Sequence, residues 1–425
     1  MKIGMKQINE VFTLWIMLFT VVPAIKAPFM GSSYRAIMLL GLGGWFVSAI
    51  LTDKSWLLKP RKPLMLVMLL MLFYFLMIVI QSGDIANSFV MLILFWMPFF
   101  VFDFYYHIGA KRALNRILIV TLVSILSVIV MTLYHVVQSP YLIRTVFKDG
   151  AEAIITYYSL NIGDLGFVYA LELLLSVFAS LLAVRILRKK REKIFFIIWI
   201  ALSVTVIVNA SSGFMIIGLG IILCEYLYYR CNPKYRIGVI IGFVIFLLFT
   251  LPMGATLLTR IAETTDNIYY KEKLLDVANT LQFGVSSDNQ GSTASRLFAY
   301  RTDLTTAFNH PILGVGAYYH HNDAVGLNGH SAMFGDMARY GLIFTAFMCY
   351  LFSQIKRSYY LIRKDYHFKQ VVDAVFIIFW FQYLINPINQ EATIGWVMWF
   401  VFPGMLTLIP AKFEQNNMLD RMEVV

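Results

Sequence analysis

Long apolar runs separated by short polar connections make up most of the chain. A helix needs about 20 mainly apolar residues to cross the hydrocarbon core of a bilayer, and fewer where side chains at its ends reach the interface. Twelve runs between residues 9 and 410 satisfy this condition. They lack the period-two alternation of strands in a membrane barrel. The pattern therefore predicts an all-α integral membrane protein with about twelve transmembrane helices.

The composition agrees with a membrane protein and excludes a soluble domain. Of the 425 residues, 59% are hydrophobic and only 14% are charged, and the mean hydropathy is +0.71. A formal net charge of +11 would suggest nucleic-acid binding in a soluble protein. Here the basic residues lie mainly between apolar runs, where they set membrane topology. We therefore expect no nucleic-acid partner.

The number of basic residues differs strongly between alternate connections. One set, which includes both termini, holds 25 of the 35 Lys and Arg residues, and the opposite set holds 10. Because positively charged connections are retained in the cytoplasm, both termini are predicted to be cytoplasmic. Lys2 and Lys6 precede an apolar run at 11–22 in the manner of a cleavable signal peptide. We expect this run to be retained as the first span, because its removal would break the alternation.

Two connections on the predicted outer side are long, and long loops are uncommon unless they are functional. The first is an external loop at 138–164. The second, a large extracytoplasmic loop at 259–335, separates spans one to nine (1–258) from the last three spans and the cytoplasmic tail (336–425).

The spacing of apolar residues predicts that the large loop is partly helical. Each of its two predicted helices has an apolar stripe able to rest on the membrane surface. In the second helix the stripe comprises Leu297, Leu304, Ala307 and Phe308. The sequence Asn309-His310-Pro311 should end this helix, because the residue before proline avoids the α-helical region.

The arginines of the outer connections are candidates for binding phosphate, because a guanidinium can bind two oxygens at once. Arg296 begins the second loop helix, where free backbone N–H groups would strengthen its attraction for an anion. Arg301 lies about 140° further around that helix, so both can reach a diphosphate only if it lies alongside. The alternative is that they reach lipid headgroups or pair with Asp303. Secondary candidates among the outer arginines are Arg144, Arg260 and Arg339.

His330 and Ser331 lie immediately before the tenth predicted span, at its outer end. A helix N-terminus disfavours an imidazolium, so His330 should stay neutral and able to accept a proton as a general base. The alternative is a helix cap or an interfacial hydrogen bond. Asp336 lies about 240° around a helix from His330 and is expected to pair with Arg339 at i,i+3.

Glu172 lies inside an otherwise apolar run, where a carboxylate costs about 2.5 kcal/mol or more, so a cavity or a cationic partner is expected. A structural role and a role with substrate both stay open. His320, His321 and Asp323 do not complete a metal site, because adjacent histidines point apart. We expect no metal and no cofactor. Three cysteines without C-x-x-C spacing indicate neither a disulfide framework nor a zinc site.

Three short motifs follow one another in the large loop. Ser295-Arg296 is followed by a short helix, then by NHPILGVG (309–316), and then by GHSAMFGDMARYG (329–341), which runs into a predicted transmembrane helix. This order and placement resemble the bacterial O-antigen polymerase (Wzy-type) and O-antigen ligase superfamily.

The resemblance implies a GT-C-like fold and metal-independent glycosyl transfer at the outer face of the bacterial plasma (inner) membrane. The donor would be a glycan on undecaprenyl diphosphate. Arg296 would hold the diphosphate, and His330 would deprotonate the acceptor hydroxyl. Where the family often has a tryptophan soon after the arginine, this chain has Ala299 and Tyr300.

The histidine motif is more similar to polymerases of capsule, exopolysaccharide or O-antigen repeats than to ligases. This preference rests on His330 followed by Ser331, Asp336, Tyr340 and Gly341. We expect a polymerase that transfers the growing glycan onto another lipid-linked repeat, with membrane lipids and a chain-length regulator as partners. Two alternatives stay open. One is an O-antigen ligase that transfers the glycan to lipid A core, and the other is a lipid-linked oligosaccharide flippase or transporter.

Overall fold

The computed structural model describes residues 4–30, 32–80, 85–139, 142–145, 151–184, 190–210, 213–264, 268–283, 292–315, 330–388 and 391–408. Within these ranges the regular structure is helical and contains no strand. The helices are α1 (Met5–Val21), α2 (Pro23–Lys26), α3 (Ser32–Thr52), α4 (Ser55–Leu58), α5 (Lys62–Ile80), α6 (Ile85–His107), α7 (Lys111–Gln138), α8 (Leu142–Thr145), α9 (Ala151–Ser159), α10 (Leu165–Ala183), α11 (Lys190–Ala210), α12 (Gly213–Arg230), α13 (Arg236–Glu263), α14 (Ile268–Phe283), α15 (Ser292–Asn309), α16 (Ala332–Ile362), α17 (Tyr366–Ile385), α18 (Ala392–Gly395) and α19 (Phe402–Leu408).

The predicted all-α class is confirmed for the described ranges, and these ranges contain helices that could span a membrane. In the described ranges, α3, α7, α10, α11 and α17 are long and apolar enough to cross a membrane. Helix α1 and the segment Pro23–Phe29 would form a sixth span, bent by 99°. Shorter apolar helices include Lys62–Met77, Leu92–His107, Arg236–Ile245 and Ala392–Leu408. The number of twelve spans stays a prediction.

Helix α10 lies at the centre of the bundle, against α11, α12, α17 and α18. Nearly all of its side chains are buried. Its sequence is apolar on every side, which is typical of a helix surrounded by other helices. At its first turn, the Asp164 carboxylate accepts a hydrogen bond from the backbone N–H of Phe167 at 2.8 Å, a cap that satisfies one of the free donors of the helix end. The candidate site lies at this end of α10.

Helix α15 corresponds to the second helix predicted in the large loop. It ends at Asn309, as the Asn-His-Pro sequence predicted, but it begins at Ser292, one turn before Arg296. The predicted apolar stripe does not form a single surface face. Ala307 is fully buried whereas Phe308 is 68% exposed, because neighbouring residues point about 100° apart around a helix.

Helix α16 is interrupted at Gly341, where φ is 86° and ψ is 173°. The turn that follows α15 lies against this interruption. The backbone N–H of Leu342 donates to the carbonyl of Pro311 at 2.7 Å, and that of Val315 donates to the carbonyl of Ala338 at 2.9 Å. The interruption therefore exchanges hydrogen bonds within α16 for bonds to the turn, and it joins α15 to α16.

Both glycines at this junction are required by space as well as by conformation. A Cβ atom on Gly341 would lie 2.2 Å from the carbonyl oxygen of Ile312. Gly314 has a φ of 65°, and a Cβ atom there would lie 2.3 Å from the carbonyl carbon of Arg339. The motifs NHPILGVG and ARYG thus form the two halves of one backbone contact.

We predict that Gly341→Ala lowers the free energy of unfolding by at least about 2 kcal/mol, because it adds a clash to a backbone region that side chains rarely adopt. Thermal unfolding of the purified protein in detergent measures the change. Gly335→Ala is the matched control, since Gly335 lies in the same helix and a Cβ atom added there would have no neighbour within 4 Å. The control should be neutral or stabilising by up to about 1 kcal/mol. Equal melting temperatures for the two variants would contradict the proposed role of the junction.

Candidate functional site

The C-terminal carbonyls of α17 hold two distant parts of the chain together. The last carbonyls of a helix have no partner within it and need other donors. Leu384 O accepts from the Ser331 hydroxyl at 2.5 Å, and Ile385 O accepts from the Tyr300 hydroxyl at 2.7 Å. The end of α17 therefore fixes both α15 and the start of α16.

This arrangement brings Arg296 and His330 together. Arg296 lies one turn before Tyr300, and His330 immediately precedes Ser331. The backbone N–H of Ala332 also donates to Asn386 O at 2.9 Å, which fixes the peptide chain just after the histidine. The charge of Arg296 is close enough to act on the His330 imidazole. Two candidates 34 positions apart in the sequence thus share one site.

His330 is half-buried, and its pKa lies below its ordinary value of 6.5. Burial is the larger cause, because it disfavours the charged imidazolium, and the positive charge of Arg296 is the second. The sequence predicted a neutral histidine from the nearby helix N-terminus. The direction agrees with this prediction, but the causes are burial and Arg296.

Arg296 occupies the second turn of α15, so its own N–H does not lie at the free helix end, contrary to the sequence-based expectation. Its guanidinium donates a hydrogen bond to the hydroxyl of Tyr169 on α10. Arg296 is half-buried and Tyr169 is buried. The arginine is therefore oriented by a fixed tyrosine while part of its surface stays accessible, which suits a side chain that binds an anion.

Glu172 lies one turn below Tyr169 on α10 and is fully buried. A carboxylate oxygen accepts from the Gln382 amide of α17, and Gln382 accepts from Asn386 at 2.6 Å. The partner found is thus a neutral amide and not the expected cation. Gly218 of α12 lies directly against the carboxylate. Glu172 supports the C-terminal end of α17 and lies deeper than the pair Arg296 and His330.

The secondary candidates on α16 have structural contacts. Ser331 caps α16 by accepting from the N–H of Phe334 at 3.0 Å. Asp336 is buried and accepts from the Tyr383 hydroxyl at 2.6 Å, and its predicted local pair with Arg339 stays a prediction.

Tyr340 is buried in an aromatic cluster. Its ring centroid lies 5.3 Å from that of Tyr74 and 4.8 Å from that of Phe344. Arg339 is half-buried and lies near Tyr74. These residues join α16 to the rest of the bundle, beside the site.

The other arginines predicted as candidates show no contact with Arg296 or His330 among the described residues. Arg301 and Arg260 are exposed, on α15 and α13. The side chain of Arg144 and residues 316–329, which include His320, His321 and Asp323, lie outside the described part of the chain. Among the side chains that are described, no group of three or more His, Cys, Asp and Glu could hold a metal ion. The absence of a metal stays a prediction.

A second polar group at this end of α10 was missed from the sequence. The Glu391 carboxyl packs against Gly166, where a Cβ atom would lie 2.2 Å from it. Asp164 and Lys26 lie close enough to act on Glu391 by charge, and Tyr158 donates to Asp164 at 2.7 Å. Burial and then Asp164 raise the pKa of Glu391 to about 8, against the opposing effect of Lys26.

The sequence feature that could have identified Glu391 is a single carboxylate at the edge of an apolar run. It lies in a short connection between two predicted spans. Its charge also acts on Tyr169, which receives the hydrogen bond from Arg296. The α10 residues that they contact, Gly166 and Tyr169, lie three positions apart on one side of the helix, so both polar groups belong to the N-terminal end of α10.

Comparison with known proteins adds no family: no protein-family profile matches the chain, and no curated protein matches it significantly. The chemistry that the site can perform therefore follows from its geometry. An oriented guanidinium can neutralise an anion, and a neutral imidazole beside it can accept a proton. Both lie at one end of a bundle that contains candidate membrane spans.

We predict that Tyr300→Phe lowers the free energy of unfolding by about 1–3 kcal/mol, because it leaves the buried carbonyl of Ile385 without this donor. Thermal unfolding in detergent is the measurement. Tyr350→Phe is the control, since Tyr350 is 43% exposed, and it should stay within about 0.5 kcal/mol of the parent protein. Similar losses in both variants would show that the Tyr300 bond does not fix α15.

We also predict a pH dependence of stability that arises from Glu391. Between the ordinary pKa of 4.5 and about 8, the folded protein holds a proton that the unfolded chain has lost. The free energy of unfolding should therefore fall as the pH rises through this range and level off above it. Melting temperatures of Glu391→Gln should lack this fall.

The control for this prediction is Glu263→Gln, which removes an exposed carboxylate at the end of α13. It should keep the pH dependence of the parent protein. A Glu391→Gln variant whose melting temperature follows the same pH curve as the parent protein would contradict the raised pKa.

Proposed function

We propose that this protein is a polysaccharide repeat-unit polymerase. It transfers a growing glycan from undecaprenyl diphosphate onto a second lipid-linked repeat, at the outer face of a bacterial plasma membrane. The observation that carries the proposal is the pairing of Arg296, oriented by Tyr169, with a half-buried neutral His330. The motifs of the large loop, which resemble the O-antigen polymerase and ligase superfamily, supply the substrate class.

In the proposed reaction, Arg296 binds the diphosphate of the donor. A guanidinium forms two parallel charge-assisted hydrogen bonds to phosphate oxygens. Its positive charge stabilises the negative charge that develops on the leaving diphosphate, and this stabilisation lowers the barrier. The hydrogen bond to Tyr169 limits the orientations of the side chain. The reaction therefore needs no divalent ion to neutralise the leaving group.

His330 is the proposed general base. It removes the proton of an acceptor sugar hydroxyl while the hydroxyl oxygen bonds to the anomeric carbon of the donor glycan. The bond from that carbon to the diphosphate breaks, and its electrons leave with undecaprenyl diphosphate. A single displacement of this kind inverts the anomeric configuration. Because burial and Arg296 lower the pKa of His330 below 6.5, the base stays unprotonated at neutral pH.

The distribution of basic residues supports the proposed orientation. The connections that carry 25 of the 35 basic residues alternate with those that carry 10, so the large loop and the pair Arg296 and His330 are assigned to the outer side. Both termini are then cytoplasmic, and twelve spans complete the proposed topology. A chain-length regulator is a further proposed partner.

We predict that Arg296→Ala and His330→Ala each abolish polymer formation in reconstituted vesicles that contain undecaprenyl-diphosphate-linked repeats and excess EDTA. The parent protein should remain active under these conditions. The readout is the ladder of lipid-linked products. Lys271→Ala and His310→Ala remove an exposed cation and an exposed imidazole of the same loop and are the matched controls.

Full ladders from both well-folded site variants would refute the assignment of the site, and activity that returns only with Mg²⁺ would refute the metal-independent reaction. A lipid A core acceptor added in parallel distinguishes the alternatives. Transfer to the core would identify a ligase. Movement of the lipid-linked repeat across the membrane without a new glycosidic bond would identify a transporter.

A further inference from the structure

Helix α15 exposes a face of mixed apolar and basic character. Residues spaced by three and four along the helix form this face, namely Phe298, Arg301, Thr305 and Phe308. Ile312, in the turn that follows the helix, is exposed as well. Phe298, Phe308 and Ile312 are 58%, 68% and 63% exposed. Large apolar side chains grouped in this way mark a surface that contacts a partner or a membrane. We call this surface the exposed face of α15.

The opposite face of α15 is packed against the rest of the protein. Ala299, Asp303 and Ala307 are fully buried there, and Tyr300 is bonded to the end of α17. The orientation of the helix is therefore fixed by its packing. The exposed face cannot turn inward without breaking the contacts that position Arg296.

The exposed face continues into the outward surface of α16. The turn after α15 lies against the interruption at Gly341, and Leu313 in this turn is 68% exposed. On α16, Ile343 is 66% exposed and is followed, at spacings of three and four, by exposed Ala346 and Tyr350. These α16 side chains form a mainly apolar outward stripe beside α17, which is apolar enough to span a membrane. The exposed face of α15 is thus continuous with a surface suited to lipid.

The polar groups of this face also suit contact with lipid. The Thr305 hydroxyl donates to the carbonyl of Arg301 at 2.8 Å, so it does not need water. Arg301 can place its apolar stem among acyl chains while its guanidinium reaches phosphate groups.

We propose that the exposed face of α15 lies in the outer leaflet of the membrane, with Phe298, Phe308, Ile312 and Leu313 inserted and Arg301 on lipid phosphates. This surface does not depend on the proposed reaction, but the choice of the outer leaflet rests on the proposed topology. It assigns Arg301 to lipid headgroups and leaves the substrate diphosphate to Arg296.

Lipid-phase quenching tests this proposal on the full chain. Phe308→Cys is labelled with the fluorophore NBD after Cys224, Cys231 and Cys349 are replaced by serine, and the protein is reconstituted into phosphatidylcholine and phosphatidylglycerol vesicles. Doxyl-labelled phosphatidylcholine should quench the fluorescence, whereas aqueous iodide should not. A second variant, Ile312→Cys, should give the same result. Lys271→Cys, at an exposed basic position on α14, is the control and should be quenched by iodide.

Two results would overturn the proposal. Quenching of positions 308 and 312 by iodide, and not by doxyl lipid, would mean that the face lies in water. Protection from both quenchers would mean that protein covers the face, either another part of this chain or a second copy. Gel filtration of each labelled variant confirms that it folds, so a negative result cannot be attributed to misfolding.

Discussion

The free carbonyls at the C-terminal end of α17 are the constraint on which the arrangement of the site depends. A helix end that is buried inside a protein has little water to satisfy these acceptors, so the protein must supply donors. Here the donors come from Tyr300 on α15 and from Ser331 and Ala332 at the start of α16. One short stretch of backbone thereby fixes both segments that carry the proposed site. It also fixes their distance from α10, which packs against α17.

Around this scaffold, charge is arranged in two layers at the end of α10. Arg296 and His330 form the accessible layer, where the arginine lowers the proton affinity of the histidine. Deeper, Glu172 bonds to the amide of Gln382, and the chain of bonds continues to Asn386. A buried carboxylate costs free energy unless polar groups satisfy it. The bond from Gln382 reaches one oxygen of Glu172 only and offsets part of this cost, and the network ties the end of α17 to α10 beneath the accessible pair.

The interruption of α16 links the site to the surface proposed to contact lipid. Because Gly341 breaks the helix, the turn after α15 can approach its backbone closely enough for two intersegment hydrogen bonds. The same contact places the exposed apolar residues of the turn beside the outward side chains of α16. Packing that orients Arg296 inward thus directs Phe308 outward. Binding of a lipid-linked substrate and contact with lipid would then be coupled by one rigid helix.

The sequence by itself determined the helical class, the end of α15 at Asn309, and the choice of Arg296 and His330 as candidates, because these depend on local properties. The sequence shows apolar runs, a proline and the chemistry of single side chains directly, without knowledge of which residues contact each other in the fold. Only the tertiary structure decided that these two residues lie close enough for the charge of Arg296 to act on His330. It also decided that Glu172 bonds to an amide, and that Phe308 faces outward while Ala307 faces inward. Glu391 and Tyr169 were missed for the same reason. Their importance arises from neighbours that lie far away in the chain, and the periodicity of a sequence does not specify which helix faces meet.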